Sequence, residues 1–74
     1  MDIYIFSHRN RIKYLMESYG NFELPNTGMI KLTKNEASVV YPYETKPVFS
    51  KKYNLPPFLT IYLIRHAEGE HFLH

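Results

Sequence analysis

Near the start of the chain, Ile3-Tyr4-Ile5-Phe6 forms a continuous apolar run of β-branched and aromatic residues. Such a run predicts a short strand buried on both faces, as in a parallel sheet. Beyond Ser7-His8-Arg9-Asn10 the period changes. Ile12, Leu15, Met16 and Tyr19 recur at i, i+3, i+4 and i+7, one face of a helix, with Arg11, Lys13, Glu17 and Ser18 on the other faces. Gly20-Asn21 supplies the helix stop. Leu24-Pro25-Asn26-Thr27-Gly28 reads as a loop by its turn residues. Met29–Thr33 and Ala37–Tyr41 read as strands joined by a hairpin turn at Lys34-Asn35-Glu36, the second ended by Pro42. From Pro42 to Pro57 the chain carries four prolines and no periodicity, which predicts an irregular connection across the domain. Leu59-Thr60-Ile61-Tyr62-Leu63-Ile64 is the second strong apolar run, ending in Arg65-His66, and the last eight residues are too few to bury much.

These elements predict an α/β fold: a small mixed sheet of about four strands, with one main helix after the first strand. All of it falls in one small domain, residues 1–74. Residues 1–41 hold strand, helix and two further strands, residues 42–58 the Pro-rich connection, and residues 59–74 the final strand and tail.

Composition narrows the function classes. Seventy-four residues, 45% hydrophobic and 22% charged, describe a globular chain too short for a multidomain enzyme. With no cysteine there is no disulfide, no thiolate ligand and no thiol nucleophile. The net charge of +2 is too small to indicate nucleic acid, and Arg9, Arg11 and Lys13, like Lys46, Lys51 and Lys52, read as solvated surface. No apolar run approaches the roughly 20 residues that span a bilayer, and Met1-Asp2 opens without the basic segment of a signal peptide. A soluble cytoplasmic protein without membrane or nucleic-acid partners is expected. His66, Glu68, Glu70, His71 and His74 lack the His-Glu-x-x-His order of zinc hydrolases, so neither a metal nor another cofactor is expected. Most of the seven tyrosines and five phenylalanines fall in predicted strands or on the helix face, where core packing accounts for them. Tyr41 and Tyr43 are the expected exposed pair.

The two apolar runs echo one another. Ile3-Tyr4-Ile5-Phe6-Ser7-His8 can be laid over Ile61-Tyr62-Leu63-Ile64-Arg65-His66, each a strand with a histidine just past its end. Paired in parallel, the strands would bring both imidazoles to the edge where open α/β sheets bind ligands. The helix beginning after His8 would add free N–H groups and the positive end of its dipole. Arg65 would add a cation whose fork suits phosphate.

Ile61-Tyr62-Leu63-Ile64-Arg65-His66-Ala67-Glu68 resembles the strand–Arg-His-Gly-Glu signature of the histidine phosphatase superfamily, the phosphoglycerate mutase-like proteins, with Ala67 at the usual glycine. Ile5-Phe6-Ser7-His8-Arg9-Asn10 and the helix after it resemble that family's second histidine motif, Ser-His-Gly opening a helix. The resemblance covers residues 2–41 and 60–71. The order is reversed relative to the family, and the large middle region is missing, as in a truncated or permuted domain. The resemblance implies that the last strand inserts between the first and second, giving the order 2–7, 59–64, 29–33, 37–41.

It also implies a chemistry. His66 would accept a phosphoryl group, Arg65 would grip its oxygens, and His8 would donate a hydrogen bond to them. A neutral imidazole is a competent nucleophile near neutral pH. The partner would be inorganic phosphate or a phosphorylated small molecule. Arg9 stands where the family has glycine; its side chain could block the pocket, or its charge could partly replace the phosphate-binding arginine of the missing middle region. Phe72 stands where the family often has an asparagine. No residue matches the family's proton donor, and Glu68 and Glu70 read as solvated charges. The alternative is a non-catalytic interaction module, or truncated relic, that pairs through an exposed sheet edge, two copies forming a homodimer.

Overall fold

A computed structural model describes residues 1–67. Its elements are β1 (Asp2–Ser7), α1 (Arg9–Met16), a single 3₁₀ turn at Glu17–Tyr19, β2 (Met29–Thr33), β3 (Glu36–Tyr41), β4 (Val48–Phe49) and β5 (Thr60–Arg65). The protein is a small mixed α/β domain, one helix against a five-stranded sheet of order β1-β5-β2-β3-β4. β5 runs parallel to β1 and antiparallel to β2, and β3 is antiparallel to both β2 and β4. The last strand therefore does insert between the first and second.

The register of the parallel pair coincides with the internal echo. Ile3 faces Ile61, Tyr4 faces Tyr62, Ile5 faces Leu63, Phe6 faces Ile64 and Ser7 faces Arg65. Matching residues sit side by side because each strand must present the same alternation to the same two faces.

The core lies on one face only. Ile12, Met16 and Tyr19 pack with Phe22 and Leu24 onto Ile30, Leu32, Ala37, Val39 and Leu63. The helix face was correctly marked by its period. Gly20 ends the helical segment at φ 126°, a backbone region open to glycine and costly for other residues. Gly28 is required for a different reason. A Cβ there would lie 2.9 Å from the Pro25 carbonyl oxygen and 3.0 Å from Leu24 Cδ2. Its N–H donates to that same Pro25 carbonyl at 2.9 Å, and its own carbonyl accepts from the Arg65 N–H at 2.9 Å. The tight turn at Pro25–Gly28 thus guides β2 against the end of β5.

Four expectations need correction. β1 is not buried on both faces: Tyr4 and Phe6 are 58% and 60% exposed, and even Ile3 and Ile5 are about 40% exposed. It is an edge strand, and among the described residues no helix covers its second face. The same open face explains why Tyr4 and Phe6 are not core aromatics, and Tyr14, Phe49 and Phe58 are exposed as well. Tyr41 and Tyr43 are exposed as expected. The hairpin turn is only Lys34-Asn35, with Asn35 at φ 63°, so Glu36 already belongs to β3 opposite Thr33. Finally, the connection is not wholly irregular and the sheet has a fifth strand: Val48 and Phe49 pair with Ala37 and Glu36. A strand of two residues is too short to carry a period.

Side chains tie the rest of that connection down. Thr45 closes on Val39, its N–H donating to the Val39 carbonyl at 3.0 Å and its hydroxyl accepting from the Val39 N–H at 2.9 Å. Ser50 Oγ meets Ser18 Oγ at 3.0 Å, and Tyr53 and Leu55 pack against the core. The Lys52 ammonium lies 5.3 Å from the ring centroids of both Tyr14 and Tyr53.

Gly28→Ala is expected to destabilise the domain by about 1–3 kcal/mol, the usual cost of forcing atoms into a filled site, read as a lower denaturant midpoint. Tyr19 gives a contrasting expectation. It is 3% exposed, and its hydroxyl is buried without a hydrogen-bond partner among the described residues. Tyr19→Phe removes an unsatisfied polar group and is expected to hold or raise stability, by up to about 1–2 kcal/mol in the same measurement. Burial, then repulsion from Tyr53, pushes the Tyr19 hydroxyl above its ordinary 10.0. Wild-type stability is therefore expected to fall as pH rises above 10.0, a loss that Tyr19→Phe removes.

Candidate functional site

Parallel pairing carries both chain ends of the β1–β5 ladder to one edge. The ladder closes where the His66 N–H donates to the Ser7 carbonyl at 3.0 Å, so His66 and His8 follow side by side. Their ring centroids are 5.0 Å apart with planes inclined at 33°. Phe6, on the open face, lies 5.7 Å from the His66 ring. A depression of about 400 Å³ opens here, lined by Phe6, Thr27, Ile64, Arg65, His66 and Ala67.

His8 also begins α1. Its backbone is extended, at φ −93° and ψ 159°, and its carbonyl accepts the first helical bond from the Ile12 N–H at 3.0 Å. Its side chain makes no capping hydrogen bond, and the first turn contains no acidic residue. The first N–H groups of the helix therefore lack the side-chain acceptor that Ser, Thr, Asp or Asn would supply.

The two arginines lie in different surroundings. Arg65 alternates with Leu63 onto the helix-facing side of β5, where it is 8% exposed, and its guanidinium donates to the Leu24 carbonyl. Its backbone is held by the β2 side as well, its carbonyl accepting from the Thr27 N–H at 3.0 Å. Arg9 lies on the surface and engages Glu23, Nε at 2.9 Å and Nη2 at 2.6 Å from the same carboxylate oxygen. Lys13 reaches the other oxygen at 3.2 Å. The structure thus brings together the two histidines and the helix start. Arg65 is anchored beneath them by Leu24, and Arg9 is occupied by Glu23.

Glu23 was not marked by sequence reasoning. It lies fourteen residues beyond Arg9 in a stretch without period, so only the fold brings them together. The hydrogen bonds from Arg9 and then Lys13 hold its carboxyl below the ordinary carboxylate value. A carboxyl engaged by two cations on the surface is poorly placed to donate a proton. Glu68, Glu70, His71, Phe72 and His74 lie outside the described residues. Among the described residues no group of three or more His, Cys, Asp or Glu could hold a metal ion, and no helix is long and apolar enough to cross a membrane.

No protein-family model, curated protein or solved structure matches the chain.

Glu23 generates a pH expectation. A lowered folded-state pKa contributes stability that is present above the unfolded value, near 4.5, and is lost as pH falls through the folded value. Wild-type stability should therefore fall with acid below pH 4.5, and Glu23→Gln should flatten that part of the denaturant-midpoint profile.

Proposed function

We propose that the chain binds inorganic phosphate or a phosphoester at the His8–His66 edge, and that His66 supports weak, metal-independent phosphoryl transfer there. The observation that carries this reading is the 5.0 Å approach of the two imidazoles beside the start of α1. Two imidazoles at that spacing suit the oxygens of one tetrahedral anion, and helix N–H groups add donors without needing a net cation. In the transfer step an imidazole nitrogen of His66 bonds to phosphorus as the bond to the leaving oxygen breaks. Water then cleaves the phosphohistidine and releases phosphate. Among the described residues no carboxyl lines the depression, and a leaving oxygen that takes its proton from water departs slowly. Proton donation is typically worth a factor of about 10²–10⁴.

Kinship with the histidine phosphatase superfamily belongs to the same proposal, as does a cytoplasmic setting. It is supported by the Arg65-His66 and Ser7-His8 motifs and by the strand order they implied. In this reading Arg65 acts through position, its anchorage on Leu24 fixing the turn from which His66 emerges.

Titration with inorganic phosphate, followed by NMR of the imidazole rings, is the test. His8 and His66 should shift saturably, and His66→Gln should weaken binding about tenfold, the loss of one charge-assisted hydrogen bond. Unmoved rings would reject the pocket. Incubation with a reactive phosphate donor should leave an acid-labile adduct that vanishes in His66→Gln. Its absence in the wild type would remove the transfer step alone.

A further inference from the structure

β1 has an unusual edge. The chain blunts its opposite edge, where β4 is only two residues long and is flanked by Pro47 and by Lys51 and Lys52. β1 has six residues, no proline and no lysine, and Asp2 is its only charge. Long apolar edges of this kind pair with other strands unless they are protected. The direction of its free backbone groups follows from the ladder. The Met1 carbonyl accepts from Thr60 at 2.8 Å and the Ser7 carbonyl from His66 at 3.0 Å, so the odd-numbered residues address β5. The amides and carbonyls of Asp2, Tyr4 and Phe6 therefore point outward.

We infer that β1 pairs antiparallel with β1 of a second copy of this chain about a two-fold axis, joining two sheets into one. A two-fold perpendicular to the sheet keeps both helices on one side and sets even residues opposite even residues. With Ile5 on the axis, Tyr4 lies opposite Phe6 of the second copy, and Asp2 lies opposite its His8. That register lets Tyr4 and Phe6 of each copy exchange backbone hydrogen bonds with Phe6 and Tyr4 of the other. It also brings the strand's only carboxylate to the start of the other α1, whose first turn has no acidic residue. Registers centred on Tyr4 or Phe6 set Asp2 against an aromatic ring or leave it beyond the pairing.

The same occupant covers both sides of the strand. On the open face it covers Tyr4 and Phe6. On the helix side Ile5 lines the mouth of an apolar cleft of about 170 Å³, together with Leu15, Tyr53, Leu55 and Ile61. Ile5 of the second copy would close that mouth. The inference stands on the β1 edge and does not rest on phosphate binding.

Sedimentation and amide exchange across about 10 μM to about 1 mM chain provide the test. The mass should double with concentration, and the amides of Tyr4 and Phe6 should gain protection as it does. Tyr4→Pro removes an outward N–H without touching the β5 ladder and should remain a monomer at the concentration where the wild type is dimeric. Tyr4→Lys, which keeps the backbone N–H, should also disfavour the dimer and serves where the proline variant is unfolded. A wild type that stays monomeric throughout would overturn the inference. So would a dimer in which the Tyr4 and Phe6 amides exchange as fast as in the monomer.

Discussion

β1 and β5 come from opposite ends of the described chain, and their parallel ladder is the constraint on which the other elements depend. Without it β5 has a single neighbour, β2, and β1 has none. Parallel strands cannot be joined by a tight turn, so the intervening chain must make the crossover. It does so by building α1, the β2–β3 hairpin and the β4 connection on the way. Closing such a separation costs entropy that grows slowly with length, and long-range pairing of this kind slows folding. Thr60–Arg65 thus takes the place between β1 and β2 and is the link that joins β1 to the β2–β3 hairpin.

One consequence is the uneven burial of the sheet. Among the described residues a single helix covers one face, so the residues that alternate toward α1 form the core and their neighbours lie on the open side. Ile30, Leu32 and Leu63 are nearly inaccessible, and Tyr4 on the opposite face stacks on Tyr62 at 4.8 Å while remaining exposed. On that face the Tyr4–Tyr62 stack shields the two rings only in part.

This unevenness also decides what could be read in advance. The helix was legible because its burial follows one period, from Ile12 to Tyr19. The register of the parallel pair was legible as an internal likeness, because paired strands share their faces. The strand order was anticipated from the resemblance of two histidine motifs, not from periodicity. Exposure of β1 was not legible, since Ile-Tyr-Ile-Phe looks the same beneath a helix or beside solvent. β4 escaped because two residues have no pattern. The histidine pair followed from strand pairing, whereas the attachments of Arg65 to Leu24 and Arg9 to Glu23 are long-range contacts with no local signal.

The start of α1 is where the electrostatics of the fold converge. Arg9 and Arg11 set positive charge at the positive end of a helix dipole, an arrangement that costs stability unless an anion is near. Glu23 compensates in part by drawing Arg9 and Lys13 to the loop. A phosphate at His8 and His66 would answer the same field, and so would Asp2 of a second copy in the proposed dimer. Two anions addressing one end of one helix repel each other. By linkage, each then weakens the binding of the other by the same factor. Phosphate binding and edge pairing, though argued from separate observations, would on this electrostatic ground oppose one another.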